Sequence, residues 1–235
     1  MQRLTVVHYQ QELPVEHHKQ GDFHKNGNRG KAMQENTIIG DQIAWSLVAE
    51  RDPGTVCRNA GVEYDPQAHR FIMRSFGQEV LVDVGSYTIS SHSAVGQKLL
   101  HGLQHFFDLA ALWYLAKAKN VPTSGRLISP ASLSGGEIFQ KGTHVLPLDK
   151  LAEMYGQDKE GFYEKGLELG GQQLEHGDCS ILLHPFPRVP VTMILWTGDE
   201  EFPARADLFF DSTCEQHLPP DVIWSTAMTT VLALL

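Results

Sequence analysis

The apolar run Met193-Ile-Leu-Trp196 passes straight into Thr197-Gly-Asp-Glu-Glu201, and a second run, Ala204-Arg-Ala-Asp-Leu-Phe-Phe-Asp211, follows after Phe202-Pro203. A β-rich segment that stops at a glycine turn and at once resumes as another extended segment predicts two strands folded back on each other. Such a chain must build a sheet. Its turn then delivers three consecutive carboxylates, Asp199, Glu200 and Glu201, to one point in space.

One more strand-like run precedes this pair. Cys179–His184 precedes Val191–Trp196, with Pro185-Phe-Pro-Arg-Val189 as the expected connection, and Ala206–Phe210 completes a three-strand meander. Earlier, Ala68–Ser75 and Gln78–Val84 flank Phe76-Gly77, and the alternation of Phe71 with Met73 and of Val80, Val82 and Val84 predicts a β-hairpin. Helical spacing recurs between these strands. Ile38, Ile39, Ile43, Leu47 and Val48 predict a helix over Thr37–Glu50, stopped by Asp52-Pro53-Gly54. The strongest pattern is Val95–Lys119, where Leu99, Leu103, Phe106, Ala110 and Trp113 share a face, and the Leu109–Leu115 half is apolar nearly all round. Shorter helices are expected over Pro147–Tyr155 and Lys159–Leu169, the latter closed by Gly170-Gly171, and a last one begins at Pro220. The fold class that results is α+β: a single domain over residues 37–235, with an antiparallel sheet, formed by the N-terminal hairpin and the C-terminal three-strand meander, packed against a long central helix and a C-terminal helix. Residues 1–36, with His8, His17, His18, His24 and many amides, form an arm rather than a core element.

The 235 residues suffice for one substantial core. A formal charge of −9, with no Lys/Arg run, opposes binding to a phosphate backbone. Nucleic acid is therefore excluded as a partner. No apolar run approaches the roughly 20 residues needed to span a bilayer, so no membrane is expected, and the apolar run of the N-terminus breaks after Val7, too early for a secretory core. Cys57, Cys179 and Cys214 are odd in number and far apart, which suits buried small groups in a reducing cytoplasm better than a disulfide framework.

Three constellations carry candidate chemistry. The first follows from strand register: if Cys179–His184 pairs antiparallel with Val191–Trp196, Gly177-Asp178 falls beside Thr197-Gly198-Asp199. Asp178, Asp199, Glu200 and Glu201 then crowd together, with Trp196 as a wall or core anchor. Crowded carboxylates share a proton or hold a hard divalent cation through oxygen, so Asp178, Asp199 and Glu200 are the metal candidates and a divalent cation is the implied cofactor. The competing reading is a solvated acidic turn. The second constellation is His101, Gln104, His105 and Asp108 on the long helix, where positions i, i+4 and i+7 spread over only about 60°. His101, His105 and Asp108 could align on a transition metal, or simply form the wet face of the helix. The third is Glu16-His17-His18 with Asp22-Phe-His24 on the arm, whose irregular spacing says little about Zn²⁺, Ni²⁺ or Cu²⁺. The sequence contains no GxSxG elbow, no GxxxxGK[ST] loop and no GxGxxG after a strand.

The ordered series Gly125-Arg-Leu-Ile-Ser129, Leu133-Ser-Gly-Gly136, Leu169-Gly-Gly171, Gly177-Asp178, Pro187-Arg-Val-Pro190, Leu195-Trp-Thr-Gly-Asp-Glu-Glu-Phe-Pro203, Leu208-Phe-Phe-Asp211 and Leu218-Pro219 resembles a bacterial family known only as a domain of unknown function, number 3786. The resemblance covers about residues 37–235. It implies a bacterial or archaeal cytoplasmic protein and supplies no activity. Some similar proteins carry iron-sulfur or metal-binding labels tied to an additional cysteine-rich segment, which this sequence does not contain. Three functions remain: a ligand- or metal-binding domain using Asp178, Trp196, Asp199, Glu200 and Glu201 within a metabolic protein assembly; a metal-dependent hydrolase with one of these carboxylates as general base; and an interaction module in which the same residues shape a dimer surface.

Overall fold

The structure, a computed structural model, describes residues 42–139 and 145–235, apart from the side chains at 104, 105, 137 and 138. The expected arm and the start of the first expected helix lie outside these residues. Helix α1 occupies 42–49. Asp52-Pro53-Gly54 does end it, and the same residues open a helix that periodicity did not reveal, α2 (Pro53–Ala60). Asp52 caps α2 by accepting from the Thr55 amide at 2.8 Å and its hydroxyl at 2.7 Å, while Pro53 at the first position forfeits an amide with no intrahelical acceptor.

Strands β1 (Glu63–Asp65), β2 (Arg70–Ser75), β3 (Gln78–Asp83) and β4 (Thr88–Ser90) form an antiparallel four-stranded sheet in that order. The expected hairpin is its centre, turning at Phe76-Gly77 with Ser75 opposite Gln78. Helix α3 (Ala94–Lys117) follows, its first turn capped by the Ser93 hydroxyl, which accepts from the Gly96 amide at 2.9 Å. The fully buried stripe of α3 is Leu103, Phe107, Ala110 and Tyr114, while the expected Leu99, Phe106 and Trp113 are half-buried on its flank.

The second sheet is five-stranded, in the order β5-β9-β8-β7-β6: β5 is Leu127–Ile128, β6 Gln172–Leu174, β7 Cys179–Phe186, β8 Val189–Trp196 and β9 Arg205–Asp211. The expected meander is its core. β7 runs on past His184, so that the hairpin turns at Pro187-Arg188 instead of across residues 185–189. Pro185 is accommodated because the register shifts between Leu183 and Phe186, where a missing amide breaks no ladder bond. Helices α4 (Leu148–Tyr155) and α5 (Lys159–Glu168) pack on this sheet, and α5 closes with Gly170 at φ 67° in a Schellman arrangement: the Gly170 amide donates to the Leu167 carbonyl and the Gly171 amide to that of Gly166.

Helix α6 (Pro220–Leu234) packs along α3, with Phe106 and Trp224 edge to face at 5.5 Å. It is buried on every side from Val222 to Val231. Its polar residues are satisfied internally: Thr226, Thr229 and Thr230 each donate to the carbonyl four residues back. The two sheets meet where β2 approaches β7. There the Ser75 hydroxyl donates to the Pro185 carbonyl at 2.8 Å and the Phe76 amide to that of His184 at 2.8 Å. No helix among the described residues is long and apolar enough to cross a membrane.

Candidate functional site

The β7–β8 register pairs Cys179 with Leu195, which brings Asp178 level with the end of β8. The Thr197 amide donates to Asp178 Oδ2 at 2.8 Å and the Thr197 hydroxyl to the same oxygen at 3.0 Å. Asp199 lies within electrostatic reach of Asp178. It spends its own Oδ1 locally, accepting from the amides of Glu201 at 2.8 Å and Phe202 at 2.7 Å, while its amide returns to the Phe202 carbonyl at 2.9 Å. Residues 199–202 are thus a closed turn. The Thr197 donors hold Asp178 below the usual carboxylate range, and the Phe202 and Glu201 amides do the same for Asp199, so both are ionised and neither is raised as a shared proton would require.

Trp196 is engaged from the neighbouring strand. Its indole N–H donates to Asp207 Oδ2 at 2.8 Å, the Arg205 guanidinium sits 4.9 Å from its ring centre, and Arg205 Nε closes the group onto Asp207 at 3.2 Å. Thr197, Arg205 and Asp207 were not among the sequence candidates. All three follow from the β8–β9 register, which sets Trp196 opposite Arg205 and Ile194 opposite Asp207, the indole reaching diagonally across the pair. Asp178, Trp196 and Asp199 are exposed yet engaged in these bonds, whereas Glu200, Glu201 and Phe202, the last 67% exposed, face solvent beside them. The loop is braced from behind, where Gln157 Nε2 donates to the Gly198 carbonyl at 3.1 Å.

The helix constellation lies elsewhere. His101 and Asp108 line an open cleft of about 340 Å³ between β4 and the first half of α3, together with Ile89, Ser90, Ser91, Gln97 and Leu100. The side chain of His105 lies outside the described residues, as do the arm candidates His17, His18 and His24. Cys179 and Cys214 are buried free thiols and Cys57 is half-buried. Among the described residues, no three His, Cys, Asp or Glu side chains are gathered closely enough to hold a metal ion.

One buried polar group had no sequence signal. His217, wholly enclosed between β9 and α6, finds no hydrogen-bond partner for either ring nitrogen among the described residues. Burial and the nearby Arg188 cation depress its pKa to about 4, against the opposing pull of Asp211.

A family model described as "Domain of unknown function (DUF3786)" matches residues 52–233. The chain belongs to this family. The matched span takes in the 197–204 loop, the α3–β4 cleft and His217 together. No curated protein and no solved structure matches the chain.

Proposed function

We propose that this member of the family is a partner-binding module that presents the 197–204 loop to another protein. The observation that carries the reading is the division of labour inside the loop. Asp178 and Asp199 each commit one carboxylate oxygen to shaping the turn and Trp196 commits its indole N–H to anchoring it, while Phe202 stands two-thirds exposed between Glu200, Glu201 and Pro203. A large aromatic side chain held out on a rigid turn is the residue type that anchors protein interfaces, because little conformational entropy remains to be lost when it is buried. The flanking carboxylates select a partner with a basic rim around an apolar pocket. The supporting experiment recovers the partner from native extract and titrates it against purified protein. Phe202→Ser should weaken binding at least tenfold, and Glu200→Lys with Glu201→Lys should weaken it and flatten its salt dependence. Unchanged affinity in both variants defeats the reading; loss of self-association in Phe202→Ser identifies the partner as a second copy.

A second reading, cation binding at Asp178 and Asp199 with Glu200, requires these carboxylates to draw closer together than they stand, since no three are gathered tightly enough for an ion among the described residues, and is favoured by one detail. Both aspartates are ionised, and Asp178 Oδ1 and Asp199 Oδ2 accept no hydrogen bond among the described residues. Equilibrium dialysis against Mn²⁺ and Ca²⁺ decides it: one bound ion, lost in Asp199→Asn, supports this reading, and it would bring the hydrolase alternative back into play. No uptake at millimolar concentration removes both.

A further inference from the structure

The five-stranded sheet has one face under helices and one without them. Helices α4, α5 and α6 pack on one another and on its strands, and α5 lies over Ile181, where a Cβ on Gly166 would come within 2.7 Å of the side chain. They cover the face of Ile181, Met193 and Leu208, which the register sets in one row. On the opposite face the register draws two rows across the strands: Gln172, Leu182, Thr192 and Phe209, then Leu174, Ser180, Ile194 and Asp207. Among the described residues, Leu174, Leu182, Ile194 and Phe209 stand outside the main hydrophobic cluster. The β6–β7 turn shields Ile194, since a Cβ on Gly177 would come within 2.5 Å of its Cγ2, but Leu174, Leu182 and Phe209 are only half-buried. Asp207, the one charged member of the rows, is paired with Arg205 at 3.2 Å. A second sheet can approach such a surface to about 10 Å.

The two ends of this face differ in charge. Asp178, Asp199, Glu200 and Glu201 gather where β7 starts and β8 ends. The far end, about 25 Å away along the eight residues of β8, carries Arg188 in the β7–β8 turn, exposed Arg126, whose carbonyl accepts from the Ser212 amide, and Lys119, bonded to Gln216. Of the acids there, Asp211 is enclosed and satisfied by its donors, which leaves Glu215 exposed. Two chains of formal charge −9 repel at long range, so a pairing must keep their acidic ends apart.

We propose that a second copy of this chain packs on the open face with its strands antiparallel. A two-fold axis running across the strands stacks each strand on its own reversed copy and lays the acidic loop of one protomer over the Arg126 and Arg188 end of the other. An axis along the strands would set loop against loop. The sheet supplies roughly 500 Å² per protomer, and the two loop contacts extend it towards the roughly 800 Å² of a standard interface. The pairing rests on the reading of the 197–204 loop as a binding surface and names its partner.

The test is sedimentation equilibrium of the full chain from micromolar to submillimolar concentration. A reversible dimer is expected, weakened at least tenfold by Phe209→Lys. Arg126→Glu should weaken it at least fivefold, as should Glu200→Lys with Glu201→Lys, and the three changes combined should restore wild-type affinity because each end again meets its opposite. A monomer throughout overturns the inference and leaves Phe202 free to serve a different protein. A dimer unmoved by Phe209→Lys, or a triple variant no tighter than its parents, also overturns it. Should Phe209→Lys alter the circular dichroism of the chain, the charge variants decide alone. A dimer that obeys the charge exchange but is unchanged in Phe202→Ser supports the sheet pairing and defeats only Phe202 as its anchor.

Discussion

Gly77 and Gly170 meet backbone to backbone: a Cβ added to Gly77 would come within 2.9 Å of the Gly170 Cα, and one added to Gly170 within 2.6 Å of the Gly77 Cα. This contact joins the tip of the β2–β3 hairpin to the turn between α5 and β6, and so docks one sheet on the other. Both residues also have positive φ, 72° and 67°. Steric overlap with backbone that cannot rotate away adds to the left-handed penalty, so Gly77→Ala and Gly170→Ala should each cost about 3 kcal/mol in urea unfolding. The double variant should cost less than the sum, because the first methyl already separates the two turns. Full additivity would mean that the contact does not couple the sheets.

Tyr114 ties three elements with one hydroxyl. It donates to the Ala60 carbonyl at 2.6 Å, accepts the Arg188 amide at 3.1 Å, and its ring stacks on Phe186 at 4.8 Å. Tyr114→Phe keeps the stacking and strands a buried carbonyl and amide, so the stability lost should be about 1–3 kcal/mol. Hydrogen exchange should accelerate at Arg188 first. Wild-type exchange there would show that the hydroxyl is dispensable.

His217 makes stability depend on mild acid. Its folded pKa of about 4 lies below the ordinary 6.5, so the folded state disfavours the protonated ring. The resulting loss is absent above pH 6.5, grows as pH falls from 6.5 towards 4, and reaches about 3 kcal/mol at most. The groups facing the ring, Arg188 and Lys119 against Asp211, set its sign. Burial lowers the pKa of His184 as well, so the wild-type curve contains both histidines. His217→Leu should flatten the denaturation midpoint between pH 6.5 and 4.5, leaving the residue of the slope to His184. A variant that tracks wild type across that window contradicts the assignment.

Asp211 gathers the chain after α3. Burial pushes its carboxyl up, but donors from Thr213, Ser124 and Gly125 outweigh this and hold it below the usual range. The closest are the Thr213 hydroxyl and the Gly125 amide, each at 2.7 Å. Asp211→Asn replaces one acceptor oxygen by a donor and should cost about 2 kcal/mol. Amides at Ser124, Gly125 and Thr213 should exchange faster while those of Glu201 and Phe202 keep wild-type rates. Uniform acceleration would indicate global loosening instead.

How far these features could be read from the chain depended on their range. The 24-residue α3, the β7–β9 meander and the Phe76-Gly77 hairpin were legible because each repeats its period several times. Strands β1, β4, β5 and β6, two or three residues long at sheet edges, are too short to show alternation, and without them the division into two sheets was hidden. The meeting of Asp178 with Thr197 was legible from register alone. The Asp207 partner of Trp196 follows from the same register, as a diagonal contact that a single isolated carboxylate within a strand does not signal. The cleft beside His101 depends on β4, which a helix face read in isolation does not contain. His217 shows no pattern at all, since an enclosed histidine and a surface one look identical in a string of letters.

Helix α6 carries a last consequence for how the molecule is made. Residues 220–234 are synthesised after everything they pack against, yet they fill the flank of α3. Until they leave the ribosome, the apolar surfaces of α3, α4, α5 and β7 that α6 covers in the finished fold lack that cover. Completion of the fold is therefore a late, cooperative event, and translation halted before Pro220 should yield insoluble product rather than a smaller working domain.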